Sequence, residues 1–240
     1  MSHFAVAVIT KTDSKKEIEN LLAPYQENNM GDCPKEFLEF VECDAQTINR
    51  YKEDYSKEKK KVKKDYPTFE EYMEKYWGFD KDKNTNMYGI WENPNAKWDW
   101  YTIGGRFEDE DFSIFTKIKD INLKLDMVKY NEALRFWEVA IEGKKLNENE
   151  NEDEFFTFYK PEYYIEQYKT KENYARHCAS FSCWAILTPD GEWVEKGSMG
   201  WFACSDATYE TRENYDDFFY NYLKNPANQE YYMTIIDCHI

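Results

Sequence analysis

Apolar and polar positions are most regularly patterned at the two ends of the chain. Residues 4–10, FAVAVIT, form a run of β-branched and apolar side chains that predicts a buried strand. Asp13 and Ser14 then supply a helix-start signal ahead of KKEIENLL, where Ile18, Leu21 and Leu22 recur on one helical face. Toward the other end, SFSCWAIL at 180–187 and the segment 192–195 flank Thr188, Pro189, Asp190 and Gly191, whose turn chemistry predicts a β-hairpin. Over 209–224, Tyr215, Phe218, Phe219, Tyr222 and Leu223 fall at helical spacing, and Pro226 stops the helix because proline has no amide hydrogen. YMTIIDCH at 232–239 predicts a closing strand.

These pieces spell βα…ββαβ, the element order of a ferredoxin-like antiparallel sheet in an α+β fold. Residues 1–26 and 179–240 form the expected split β-α-β core, and 27–178 a large, mainly helical insertion packed on it within one domain. The first and last strands become antiparallel neighbours, which brings His3 toward Asp237 and His239. If Phe4, Val6 and Val8 face the packing helices, alternation turns His3, Ala5, Ala7 and Ile9 to the other side. Asp237 and His239 share a face with Met233 and Ile235, and register decides whether it is also the face of His3.

Inside the insertion, Thr68 to Glu71 has the form of a capping box leading into EEYMEKYW and ending at Gly78. Lysines crowd residues 57–64 on a face expected to be a solvated helix. Residues 130–141 carry Leu134, Trp137, Val139 and Ile141 at amphipathic spacing, and residues 159–174 predict one tyrosine-rich helix. Residues 147–154, NENENEDE, read as an acidic loop with nothing to pack.

Charge narrows the function classes. The 240 residues carry a formal net charge of −16, which disfavours direct nucleic-acid binding and attachment to an anionic membrane, since both need a basic surface. An aromatic content of 18% still provides for a core. The six cysteines form no CxxC pair, the start of the chain lacks a signal-peptide pattern, and no apolar run is long enough to span a membrane, so a soluble protein with reduced thiols is expected. Cys178 and Cys183 near His177 fit no zinc spacing and read as buried small hydrophobes.

The chemistry concentrates in NPNAKWDWYTIGGRF, residues 93–107. Trp98 and Trp100 lie on a predicted strand that ends in Gly104 and Gly105, followed by Arg106. Glycine amides beside an arginine can cradle phosphate or carboxylate, and indoles can stack on a planar base. The opposing reading makes the tryptophans core, the glycines a turn and Arg106 a partner of a nearby carboxylate. Trp201, in the second glycine-flanked turn GSMGWF, is a candidate for another wall of the pocket. Of the three histidines, His3 and His239 meet Asp237 in the expected topology. That trio suits acid–base chemistry, with Asp237 orienting a ring, and a divalent metal is the other option. Cys238 points away from His239 by strand alternation, which disfavours a Cys/His dyad.

MSHFAVAV at the start, PNAKWDWYTIGGRF in the centre, GEWVEKGSMGWF later and IIDCHI at the end together resemble a family of uncharacterised proteins encoded by bacteriophages and prophages. Members commonly have Trp where this chain has Phe107. The resemblance implies an accessory, counter-defence protein acting in the cytoplasm of a bacterial host, and assigns no activity. Two functions follow as expectations. One is a pocket for a small nucleotide-like ligand such as an immune signal, held by Trp98, Trp100, Gly104, Gly105, Arg106 and Trp201, with His3, Asp237 and His239 as acid–base groups if the ligand is hydrolysed. The other is an acidic protein that imitates nucleic acid and inhibits a host defence nuclease complex.

Overall fold

Both terminal strands form where the apolar runs predict them, and each pairs along its full length. The computed structural model describes residues 2–107, 114–200 and 204–240. Its strands are β1 (His3–Thr10), β2 (Glu39–Glu42), β3 (Asp80–Lys81), β4 (Tyr88–Glu92), β5 (Trp100–Ile103), β6 (Thr116–Lys117), β7 (Ala185–Leu187), β8 (Trp193–Glu195) and β9 (Tyr232–His239). The helices are α1 (Lys15–Leu22), α2 (Ala45–Lys57), α3 (Lys60–Asp65), α4 (Phe69–Glu71), α5 (Met127–Phe136), α6 (Pro161–Tyr168), α7 (Lys171–Ala179) and α8 (Tyr209–Lys224). The fold is α+β. Among the described residues no helix is long and apolar enough to cross a membrane.

The chain divides into two compact units, one made of Met1–Leu21 with Trp100–Ile240 and the other of Leu22–Asp99. These boundaries differ from an insertion spanning 27–178, because β5 and β6 leave the middle of the chain to pair with β9.

The first unit holds a six-stranded, mostly antiparallel sheet in the order β5-β9-β1-β7-β8, with β6 also on β9. β1 runs antiparallel to β9, as expected, and parallel to β7. Here the sheet departs from the ferredoxin-like expectation, since a split β-α-β would insert a strand between β1 and β7, and these two are hydrogen-bonded directly. The hairpin β7–β8 turns at Gly191, whose φ of 87° suits glycine.

A second correction concerns which sheet face the last helix covers. Ala7, Ile9, Met233 and Ile235 pack with Tyr215, Phe219 and Leu223 of α8, so this helix lies on the face that carries His3 and not on the face of Val6 and Val8. The alternation was legible, but β-strand periodicity names two faces without saying which of them a given helix will cover.

The helices of the middle form for local reasons. Thr68 accepts the Glu71 amide at 3.1 Å and starts α4, which continues as a π-turn over Tyr72–Tyr76. The tyrosine-rich stretch divides into α6 and α7, because Lys169 takes φ 65° and Thr170 begins a new helix by accepting the Asn173 amide. The acidic segment is also anchored: Glu150 meets Arg135 at 2.6 Å, and this contact lowers the Glu150 carboxyl to about 2. In the second unit, β2-β4-β3 makes a three-stranded sheet beside α2 to α4, so a small sheet accompanies the expected helices.

Candidate functional site

Strand register brings the predicted acid–base residues together. His3 is paired with His239 across β1 and β9, and His239 with Trp100 across β9 and β5. Directly opposed residues share a sheet face, so these three form one cross-strand row. The next row holds Ala5, Asp237 and Thr102 on the same face. Trp100 stacks on His239 with ring centroids 4.9 Å apart and an interplanar angle of 17°, and His3 meets both rings edge-on at 5.2 and 5.0 Å. One side of the indole is thereby covered, yet Trp100 remains 45% exposed.

Asp237 organises the second row. It is buried, and its Oδ1 lies 2.8 Å from His3 Nδ1 while Oδ2 accepts the Arg106 backbone amide at 3.1 Å. With the Asp237 carboxylate as acceptor, Nδ1 carries the hydrogen of this contact and Nε2 is the ring nitrogen left for acid–base chemistry. Asp237 therefore sets the tautomer and orientation of His3.

The glycine turn explains how the second oxygen is reached. Gly104 and Gly105 have φ values of 73° and 60°, a left-handed conformation that glycine adopts without steric cost. Gly104 donates its amide to the Ile235 carbonyl at 2.8 Å, and Phe107 packs against the core beneath α8. Between these anchors Gly105 lies so close to Asp237 that a Cβ there would approach the aspartate Cβ to 2.5 Å. The expected phosphate cradle is thus corrected: the Arg106 amide holds the protein's own Asp237 carboxylate, and the Gly104 amide is spent on the sheet. The Arg106 side chain is exposed and makes no ion pair with any described residue.

Trp98 and Trp100 separate in the structure. Trp98 belongs to the second unit, where it is 4% exposed and donates its indole N–H to the Leu22 carbonyl at 3.2 Å. It is a core residue and presents no face to a ligand. Trp201 lies outside the described residues. Its neighbour Gly200 accepts from the Ser2 hydroxyl at 3.0 Å, so the second glycine turn does reach the chain next to His3. Thr102 was missed by sequence reasoning, although it is two residues from Trp100 and alternation alone puts both on one face.

The metal option does not survive the geometry. Both Asp237 oxygens are engaged by His3 and Arg106, and no group of three His, Cys, Asp or Glu among the described residues is placed to hold a metal ion. Cys238 is buried on the opposite face, opposite Phe4, in agreement with the reading that set the Cys/His dyad aside. Cys183 is buried in the core, whereas Cys178 is exposed, contrary to expectation.

No protein family, curated protein or solved structure matches the chain. The site is accordingly read from its chemistry.

Proposed function

We propose that the His3–Asp237–His239–Trp100 cluster, with Arg106 at its edge, receives a small nucleotide-like anion. The observation that carries the reading is the cross-strand row itself, which stacks a half-exposed indole on an imidazole, with the exposed Arg106 on the turn that follows β5. A planar base stacks on the outer side of Trp100, and Arg106 meets the phosphate in bidentate fashion. His3, oriented by Asp237, supplies an acid–base nitrogen beneath that ligand, so turnover would proceed through His3 Nε2. Together with the resemblance to phage-encoded proteins, the reading becomes that of a counter-defence protein which sequesters or hydrolyses a nucleotide signal of the bacterial host.

The test is equilibrium binding and product analysis over a panel of linear and cyclic nucleotides. Arg106→Ala and Trp100→Ala should each weaken binding by about tenfold or more, the loss of one charge-assisted or stacking contact. His3→Gln should retain binding and abolish any hydrolysis. Unchanged retention in both Arg106→Ala and His239→Ala sinks the reading.

A second reading, an acidic inhibitor docked on a basic defence complex, draws on one surface of the first unit. Phe158 is 91% exposed and Phe156 is 65% exposed, and they are flanked in sequence by Glu152, Asp153, Glu154 and Glu162. Exposed aromatic rings in an acidic segment suit a protein partner with a basic edge. Binding to a defence complex that does not change between about 50 and 500 mM salt would eliminate this alternative, since screening must weaken charge-driven association.

A further inference from the structure

The second unit contains a cleft of about 650 Å³ that neither functional reading uses. Its walls come from the loop after α1 and from the ends of β3 and β4. Trp77 and Trp91 line it and are 46% and 45% exposed, a large aromatic area for two residues of one depression. Glu27, Asp80 and Glu92 line it as well. Among the described residues no lysine or arginine forms an ion pair with any of these three carboxylates.

The loop is held in place and is not adaptable filler. Asn93 is buried and donates to the carbonyls of Pro24 and Gln26, both at 2.9 Å, and Asn28 donates to the Trp91 carbonyl at 2.8 Å. Glu27 donates its backbone amide to the Trp98 carbonyl at 2.7 Å. These bonds hold Glu27 and Trp91 at the cleft without any ligand.

Charge points the same way. Burial, followed by Asp99 and Glu92, pushes the Glu27 carboxyl above its ordinary value, which means that its ionised form lacks compensation in the unliganded cleft. A neutral ligand would leave that repulsion in place. A metal ion is disfavoured, because no three carboxylates converge with ligand geometry among the described residues. A cation carrying N–H donors suits both features of the lining, since it neutralises the carboxylates and lies against the indoles.

We propose that this cleft is a binding site for alkylammonium ligands, of the di- or polyamine class, held by Glu27, Asp80 and Glu92 and flanked by Trp77 and Trp91. An extended amine with several charges spans the acidic wall while its methylene segments cover the tryptophans. The site lies wholly within the second unit and stands independently of the nucleotide reading.

Spermidine titrated calorimetrically into the full chain at low ionic strength tests the assignment. One saturable site is expected, with affinity falling by about tenfold or more in Glu27→Gln and in Trp91→Ala. Glu27→Gln removes a charge that the folded protein tolerates poorly, so its urea midpoint should not fall, and loss of binding there cannot be ascribed to unfolding. Glu152→Gln, in the first unit, should leave binding unchanged. The proposal is overturned if no saturable binding occurs, if Glu152→Gln weakens binding as much as Glu27→Gln, or if magnesium ions displace spermidine at equal charge concentration.

Discussion

Two polar pairs in the first unit are built in opposite ways. His3 and Asp237 meet at 2.8 Å, and the remaining aspartate oxygen receives a backbone amide that a glycine turn delivers. Lys196 and Asp216 approach only to 3.8 Å, with the ammonium over the Tyr215 ring and Asp216 accepting from Ser182 at 3.2 Å. Around the second pair, Arg212 Nε and the Tyr215 hydroxyl are buried without hydrogen-bond partners among the described residues. Burial lowers the Lys196 pKa and raises that of Asp216, so each ion is held at a cost that its partner only partly offsets. The contrast separates a pair whose geometry is specified by backbone from one merely enclosed by side chains. The first has the fixed orientation that acid–base chemistry needs.

The sharpest way to break the first pair is Gly105→Ala. A Cβ at this position would collide with Asp237 in a backbone conformation with φ 60°, so the turn must move and withdraw the Arg106 amide. A loss of about 2–4 kcal/mol in urea denaturation is expected. A loss below about 0.5 kcal/mol would show that the turn does not hold Asp237 in place.

Paired apolar replacements come next in size and carry the comparison directly. Lys196→Met combined with Asp216→Leu should leave stability within about 1 kcal/mol of the parent or raise it, because the desolvation cost of two poorly matched ions disappears. His3→Leu combined with Asp237→Leu should cost about 2 kcal/mol, since the Arg106 amide loses its acceptor. Equal changes in the two double variants would abolish the distinction drawn between the pairs.

The last test is one of pH. His177 on α7 faces the Tyr168 ring, Lys196 and Arg212, and burial first, then those two cations, lowers its pKa to about 4 from an ordinary 6.5. The unfolded chain binds a proton as pH falls through 6.5, whereas the folded protein does so only near 4, so the stability contribution is lost progressively across that interval. His177→Phe should therefore compare more favourably with the parent in urea at about pH 4.5 than at about pH 7. An unchanged difference would mean that His177 titrates alike in both states.

Legibility followed the range of the interactions. The helical spacing of Tyr215, Phe219 and Leu223 predicted α8, and all three are buried in it. Trp98 and Trp100 looked equivalent because they stand two apart in one aromatic run. Only the first lies in the second unit as a core residue, while the second joins the edge of the large sheet. The aromatic cleft of the second unit had no sequence signal at all, since Glu27, Trp77 and Trp91 come from separate parts of the chain.

The sequence by itself determined the local elements, the reversal at 188–191, and the antiparallel approach of the two chain ends that makes His3 and Asp237 neighbours. It also determined parity, which put Asp237 and His239 on one face. Register was decided by tertiary structure alone. Pairing His3 with His239 rather than with Cys238 depends on the summed packing of β1, β9 and their neighbours, and a shift of one residue would have turned every side chain of one strand to the opposite face. The partner of the glycine turn was decided in the same way, because the carboxylate that fills it stands 131 residues farther along the chain.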